Sequence, residues 1–148
     1  MPVPMMLLSP KRALALPCAA VLALGLSACA KTVSTNGLKG EAKDAAETIK
    51  NLQTDVTAGD QKKVCENDLA KALVTRLNAS TGDCQAALKS QLSEIDSLEL
   101  NIVSVEIGGT PAARTATAKV TSIYSGKKRA GTLTLAKEGS KWKISALG

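Results

Sequence analysis

The apolar residues of this chain change their spacing once, near Ile95 and Asp96, and this change limits the folds that the chain can adopt. Before this point, apolar residues recur every three or four positions, which is the spacing of one face of a helix. After it, they alternate, which is the spacing of one face of a strand. Helices followed by strands predict an α+β domain, with the helices packed on one face of an antiparallel sheet.

Three helices are predicted before the change. The apolar face of the first helix consists of Leu38, Ala42, Ala45, Ile49, Leu52 and Val56. This helix ends near Gly59, which can adopt the left-handed conformation found after helix C-termini. The second helix is predicted from Gln61 to Leu77, with Asp60 as its N-cap, and Asp83 is predicted to be the N-cap of the third.

Four strands in a meander are predicted after the change, separated by short turns rich in glycine. The alternation switches phase between Ile102 and Val103, so we expect a bulge there, because one face cannot otherwise bury both sets of residues. In the last strand, Trp142 and Ile144 are predicted to face the core, and Lys141 and Lys143 the opposite side.

The N-terminal segment has the pattern of an export signal. Lys11 and Arg12 precede the fourteen uncharged residues 13–26, and a membrane-spanning helix would need about 20 apolar residues. The next residues, Leu26-Ser27-Ala28-Cys29, resemble the lipobox of bacterial lipoproteins. The resemblance implies a cleaved signal peptide (1–28) and acyl chains on Cys29, which hold the protein at an extracytoplasmic membrane surface. An ordinary cleavage site beside a chance cysteine is the alternative.

Residues 29–37 are then predicted to be a flexible tether, and residues 38–148 a single domain. Within that domain, Cys65 and Cys84 fall on the buried sides of adjacent helices. In an exported protein we expect them to form a disulfide, which should stabilise the fold by about 3 kcal/mol. Two reduced core cysteines are the alternative. No metal site is expected, because two thiols without histidine supply half of a zinc site at most.

The predicted elements resemble the NTF2-like superfamily, whose α+β fold is a cone. The resemblance covers residues 38–147 and depends on the long first helix, the Gly59-Asp60 turn and the final strand around Trp142, which would plug the open end of the cone. It is nearest to small secreted lipoproteins of high-GC bacteria. Enzymes of the superfamily place Asp, Tyr or His inside the cone, but this chain has no His and its predicted helices have no Tyr.

The acids near the predicted sheet are Asp96, Glu99 and Glu106, and each is expected at a strand end or on the outer face. We therefore expect a non-catalytic envelope lipoprotein without a cofactor, which binds an envelope protein partner. Two alternatives stay open: a carrier of a small apolar ligand, for which Ala116, Ala118 and Val120 would leave room in the cone, or an NTF2-like enzyme.

Basic residues are concentrated in the C-terminal quarter of a chain whose net charge is +6. The candidates for contact with an anionic membrane surface are Arg114, Lys127, Lys128, Arg129, Lys141 and Lys143, with Lys137 nearby. The alternative is a solvated sheet edge that prevents strand addition. Nucleic acid is not an expected partner, because the chain has one Trp, one Tyr and no Phe for base stacking.

Overall fold

The computed structural model describes residues 33–92, 98–124 and 126–148. The predicted signal peptide, Cys29 and Asp96 therefore lie outside the described residues. Two layers, helices and one sheet, form the domain, as the sequence predicted. Among the described residues, no helix combines the length and the apolar content that a membrane span requires.

The first layer consists of helical segments, here α1 (Gly40–Thr57), α2 (Gln61–Lys63) continued by a π-helical turn (Val64–Asp68), α3 (Lys71–Thr81) and α4 (Cys84–Leu92). Two predicted caps are confirmed. Asp60 accepts a hydrogen bond from the Lys63 backbone N–H at 3.0 Å, and Asp83 accepts one from the N–H of Ala86 at 3.0 Å. The φ of +68° at Gly59 also confirms the left-handed turn after α1.

The prediction of one continuous helix from Gln61 to Leu77 is wrong. Leu69 and Ala70 are extended, with ψ values of 144° and 146°, and they divide the segment in two. Leu69 forms a parallel bridge with Ile144, and the Ala70 N–H donates to the Ile144 carbonyl at 2.8 Å. The chain leaves the helical path because pairing with the exposed edge of the sheet replaces the helical hydrogen bonds at this point.

The second layer is one antiparallel sheet in the order β1 (Leu98–Thr110), β2 (Ala113–Tyr124), β3 (Lys127–Glu138), β4 (Lys141–Leu147). The predicted bulge is confirmed. Ile102 pairs with Val120 and Ser104 with Lys119, so Val103 is the extra residue, and it is 68% exposed. A second register shift, which the sequence analysis missed, separates the Thr134–Ala146 and Leu135–Ile144 pairs.

The core lies between α1 and the sheet. Ile49 on α1, Leu135 on β3 and Ile144 on β4 have no exposed surface, and Trp142 is 4% exposed. The predicted inward orientation of Trp142 and Ile144 is therefore confirmed. Gln53, on the same helix, accepts a hydrogen bond from the Leu100 N–H at 2.7 Å, which joins α1 to β1. Helix and sheet are thus held together by apolar packing and by buried polar contact.

The core begins earlier in the chain than the predicted domain boundary at residue 38. Val33 is 4% exposed and belongs to the core cluster, and the Thr35 hydroxyl donates to Glu47 on α1 at 3.3 Å. The end of the segment predicted to be a flexible tether is therefore attached to the domain. Because consecutive Cα atoms are about 3.8 Å apart, Val33 can lie at most about 15 Å from Cys29.

Replacement of Leu135 with Ala should lower the free energy of unfolding by about 2–5 kcal/mol, because the cavity would lie among residues that cannot easily move to fill it. Val103→Ala is the matched control, since Val103 is exposed at the bulge, and its effect should stay within about 0.5 kcal/mol. Urea unfolding followed by circular dichroism would measure both. Equal effects of the two substitutions would contradict this description of the core.

Candidate functional site

The interior of the cone is filled. Ala116 and Ala118, which were expected to leave room for an apolar ligand, are 1% and 0% exposed, and Val120 is 5% exposed. Side chains without accessible surface border no space large enough for water, so Ala116 and Ala118 offer an apolar ligand no volume in this conformation. The Trp142 side chain packs in the same cluster.

The disulfide between Cys65 and Cys84 is present and joins the π-helical turn to the start of α4. Both cysteines are buried, at 8% and 3% exposure. The Cys84 N–H also donates to the Asn78 side chain at 2.7 Å, which closes the connection between α3 and α4. The cross-link thus fixes the turn that carries Asp68 against the rest of the helical layer.

A polar groove of about 600 Å³ lies outside the core, between α1 and the beginning of β4. We call it the α1–β4 groove. Its lining residues carry carboxylates, amides, hydroxyls, one amine and one indole: Asp44, Glu47, Thr48, Asn51, Thr54, Asp55, Asn67, Asp68, Ser140, Lys141 and Trp142. The Thr48 hydroxyl donates to the Trp142 carbonyl at 3.3 Å, which fixes the distance between the two walls.

Asp68 lines this groove and is 3% exposed. Burial, and after it the neighbouring carboxyl of Asp55, raise its pKa to about 7, although the charges of Lys143 and Lys63 act in the opposite direction. Its Oδ2 atom is buried and has no hydrogen-bond partner among the described residues. The indole Nε1 of Trp142, another lining residue of the groove, is also buried without a hydrogen-bond partner among the described residues.

Lys143 lies beside Asp68 but bonds elsewhere. Its Nζ donates to the carbonyl of Glu66 at 3.1 Å and to that of Asn67, at the end of the π-helical turn. Burial lowers the pKa of Lys143. The side chain thus satisfies backbone carbonyls that the interrupted helix would otherwise leave without donors.

The six basic residues predicted to contact an anionic surface do not form one patch. Lys127, Lys128 and Arg129 are exposed at the β2–β3 turn, whereas Arg114 lies near the opposite end of β2, about 30 Å away at 3.3 Å per residue. Lys143 is 9% exposed and so is not part of a surface patch, and Lys141 belongs to the groove.

Arg114 is bonded within the domain. Its Nη2 lies 2.6 Å from Oε2 of Glu41, and Lys137 Nζ lies 2.8 Å from Oε1 of the same carboxylate. The hydrogen bond from Lys137, together with that from Arg114, holds the pKa of Glu41 below its ordinary value. Lys137 Nζ also lies 5.7 Å from the centre of the Trp142 ring. These two bases therefore fasten the start of α1 to the sheet.

Of the three acids near the predicted sheet, the two that the structure describes lie elsewhere. Glu106 is exposed on β1, and neither it nor Glu99 lines the groove. Asp68 was missed. The signal for it was its position, three residues after Cys65 and one before Leu69, on the apolar side of the predicted helix, where an acid must be paired or neutral.

No model of a protein family and no curated protein matches the sequence. Among solved structures, the chain is similar to a proposed dehydratase of the NTF2-like family from Streptomyces avermitilis, with a TM-score of 0.50 and 10% identity over 72% of this chain and 91% of the other. It is also similar to a proposed ketosteroid isomerase from Shewanella frigidimarina, with a TM-score of 0.43 and 19% identity over 78% of this chain and 97% of the other.

At such identities the similarity establishes the fold and nothing further. The domain therefore has the NTF2-like α+β fold that the sequence predicted, here with four helical segments and four strands.

The raised pKa of Asp68 predicts a titration near neutral pH. A carbon NMR titration should give Asp68 a midpoint near 7 instead of its ordinary 3.8. Because the folded chain keeps this proton while the unfolded chain loses it, the ionisation of Asp68 destabilises the fold as the pH rises from about 4 to 8. Asp68→Asn has no carboxyl to ionise at this position. The free energy of unfolding of Asp68→Asn, relative to that of wild type, should therefore rise by about 2–4 kcal/mol between pH 4 and pH 8.

Glu106→Gln is the control for this titration, because it removes one carboxylate from an exposed position outside the groove. It should leave the pH dependence of wild-type stability unchanged. A midpoint for Asp68 below about 5 would contradict the burial described here.

Proposed function

We propose that this chain is an extracytoplasmic lipoprotein with a non-catalytic binding domain of NTF2-like fold, anchored by acyl chains on Cys29. The observation that carries the binding function is the polar α1–β4 groove beside a filled core. A ligand would therefore bind between α1 and β4 instead of inside the cone. The geometry gives this function more support than it gives the carriage of an apolar ligand.

Two features support the proposed location. The Leu26-Ser27-Ala28-Cys29 sequence has the pattern at which lipoproteins are cleaved and acylated. The Cys65–Cys84 disulfide is a form of cross-link that persists in oxidising compartments and is rare in the cytosol. Acyl chains on Cys29 would hold the domain close to the lipid surface, because Val33 is already part of the core.

This arrangement also bears on the basic residues. Glu41, at the start of α1, lies at the same end of the sheet as Arg114, while Lys127 to Arg129 lie at the far end. With an anchor at Cys29, these three exposed bases reach anionic headgroups only if the sheet lies along the membrane surface. We therefore assign the anchoring to the acyl chains and treat the basic turn as a solvated strand end.

The mature protein should begin with an acylated Cys29. Cys29→Ser should leave the leader attached and the protein without acyl chains, because the thiol is the atom that carries the lipid. Cys18→Ser is the matched control, since Cys18 lies within the leader, and it should change neither the processing nor the final mass. Mass spectrometry of protein purified from a bacterial membrane would measure both, and an unmodified residue 29 in mature wild-type protein would refute the proposal.

A second candidate function is acid–base catalysis in the same groove, and Asp68 is the observation that favours it. A carboxyl with a pKa near 7 can take up and release protons at neutral pH. However, none of the lining residues is His, Tyr or Cys, the side chains that most often complete such a site. We therefore assign the groove to binding.

Metabolite mass spectrometry distinguishes the two functions. Purified wild-type protein and Asp68→Asn would each be incubated with a small-molecule extract of the host bacterium. A binding domain should leave the composition of the extract unchanged in both samples. Consumption of a compound by wild type but not by Asp68→Asn would overturn the non-catalytic assignment and identify the substrate.

A further inference from the structure

We propose that the α1–β4 groove binds small organic cations, with an ammonium or guanidinium group near Asp68 and a hydrogen-bond acceptor near Trp142 Nε1. This inference depends on the binding function proposed above and names its ligand class. It is argued from the charges that line the groove, from two buried polar atoms without partners and from the polarity of the walls.

The charge of the lining favours a cation. Four carboxyl groups line the groove, those of Asp44, Glu47, Asp55 and Asp68, against one amine, that of Lys141. Lys143 also acts on Asp68, although its amine bonds to backbone carbonyls. Two further lysines lie beside individual carboxylates: Lys50 Nζ is 3.7 Å from Glu47, and Lys63 Nζ is 3.9 Å from Asp55. Both of these ion pairs are long and partly exposed, so they screen the groove only weakly.

The buried polar atoms indicate where a ligand would bond. Asp68 Oδ2 and Trp142 Nε1 both lack partners among the described residues, although Asp68 and Trp142 are 3% and 4% exposed. A buried polar atom without a partner costs about 1–3 kcal/mol, so such atoms indicate a site that a ligand or water completes. One atom accepts hydrogen bonds and the other only donates. A ligand with a cation and an acceptor would satisfy both.

Other ligand classes fit less well. Among the described residues, no group of three or more His, Cys, Asp or Glu side chains is placed to hold a metal ion. An apolar ligand would remove the Asp, Asn and Thr side chains of the groove from water without bonding to them, which is unfavourable. The volume of about 600 Å³ is within the range of small-molecule sites.

A matched series of linear ligands tests the proposal: 5-aminopentan-1-ol, pentylamine and 1,5-pentanediol. The first has a cation and an acceptor, the second has only the cation and the third is neutral. The mature lipoprotein in non-ionic detergent would be titrated with each and followed by proton–nitrogen NMR. Trp142 is the only tryptophan in the chain, so its indole N–H gives a single resonance within the groove.

The aminoalcohol should bind most tightly and shift the indole resonance, the amine should bind more weakly, and the diol should not bind. Asp68→Asn should weaken aminoalcohol binding about tenfold or more, because it removes a buried charge. Asp44→Asn, an exposed position that cannot disturb the core, should weaken it about twofold to fivefold. Glu106→Gln removes the same charge outside the groove and should leave the affinity unchanged.

The pH dependence gives a second measurement. Aminoalcohol affinity should rise from about pH 6 to about pH 8 in wild type, as Asp68 loses its proton, and should stay constant in Asp68→Asn. The charged groups that act on Asp68 are Asp55 on α1, Lys63 on α2 and Lys143 on β4.

Two results would overturn the inference. One is equal binding of the diol and the aminoalcohol. The other is an affinity in both Asp68→Asn and Asp44→Asn that matches that of Glu106→Gln. Neither result would affect the proposed anchor, because acylation of Cys29 is measured separately by mass. A bare Cys29 would in turn leave the groove measurements valid.

Discussion

The pairing of Leu69 and Ala70 with Ile144 is the contact on which the arrangement of this domain depends. It covers part of the outer edge of β4, which would otherwise expose unpaired backbone groups. It also interrupts the second helical segment, so that the π-helical turn ends at Asp68, directly before the residue that pairs with β4. Asp68 is the last residue of that turn and thereby becomes, like Trp142, a lining residue of the groove.

The same contact explains why a lysine is buried in a strand. Interruption of the helix leaves the carbonyls of Glu66 and Asn67 without helical donors. The Lys143 amine, on β4, donates a hydrogen bond to each of these carbonyls instead. The amine is held near Asp68, whose pKa is nevertheless raised, because burial outweighs the attraction between the two charges. Because Lys143 bonds to carbonyls instead of to the carboxylate, Asp68 Oδ2 has no hydrogen-bond partner among the described residues.

Much of the fold was predictable because its signals are local. The apolar spacing of Ala45, Ile49 and Leu52 along α1, the caps at Asp60 and Asp83 and the bulge at Val103 depend on neighbours within a few positions, and these are confirmed. Leu38, predicted to begin the first helix, lies before α1. The pairing of Cys65 with Cys84 was predictable as well, because both lie on apolar faces of adjacent segments. The break at Leu69 was not, since its cause is a residue 75 positions away in the sequence, Ile144.

The candidate site was less predictable than the fold for the same reason. Trp142 was correctly expected to be buried, but no local pattern indicates that it would line the same groove as Asp68. The basic residues were predicted to form one surface because they are concentrated in the C-terminal quarter of the chain. The register of the sheet, however, separates Arg114 from Lys127 by almost the length of β2. Charge in a sequence identifies candidates for a surface, and only the strand register identifies which of them are neighbours.

The amino-acid sequence by itself determined the first helix, the strands, the order of the two layers and most of the core, because apolar periodicity and capping act over a few residues. The tertiary structure alone decided that the cone is filled, that a polar groove lies beside β4 and that Asp68 is buried within it. These properties depend on contacts between residues far apart in the chain, and the protonation of Asp68 depends on the water that those contacts exclude.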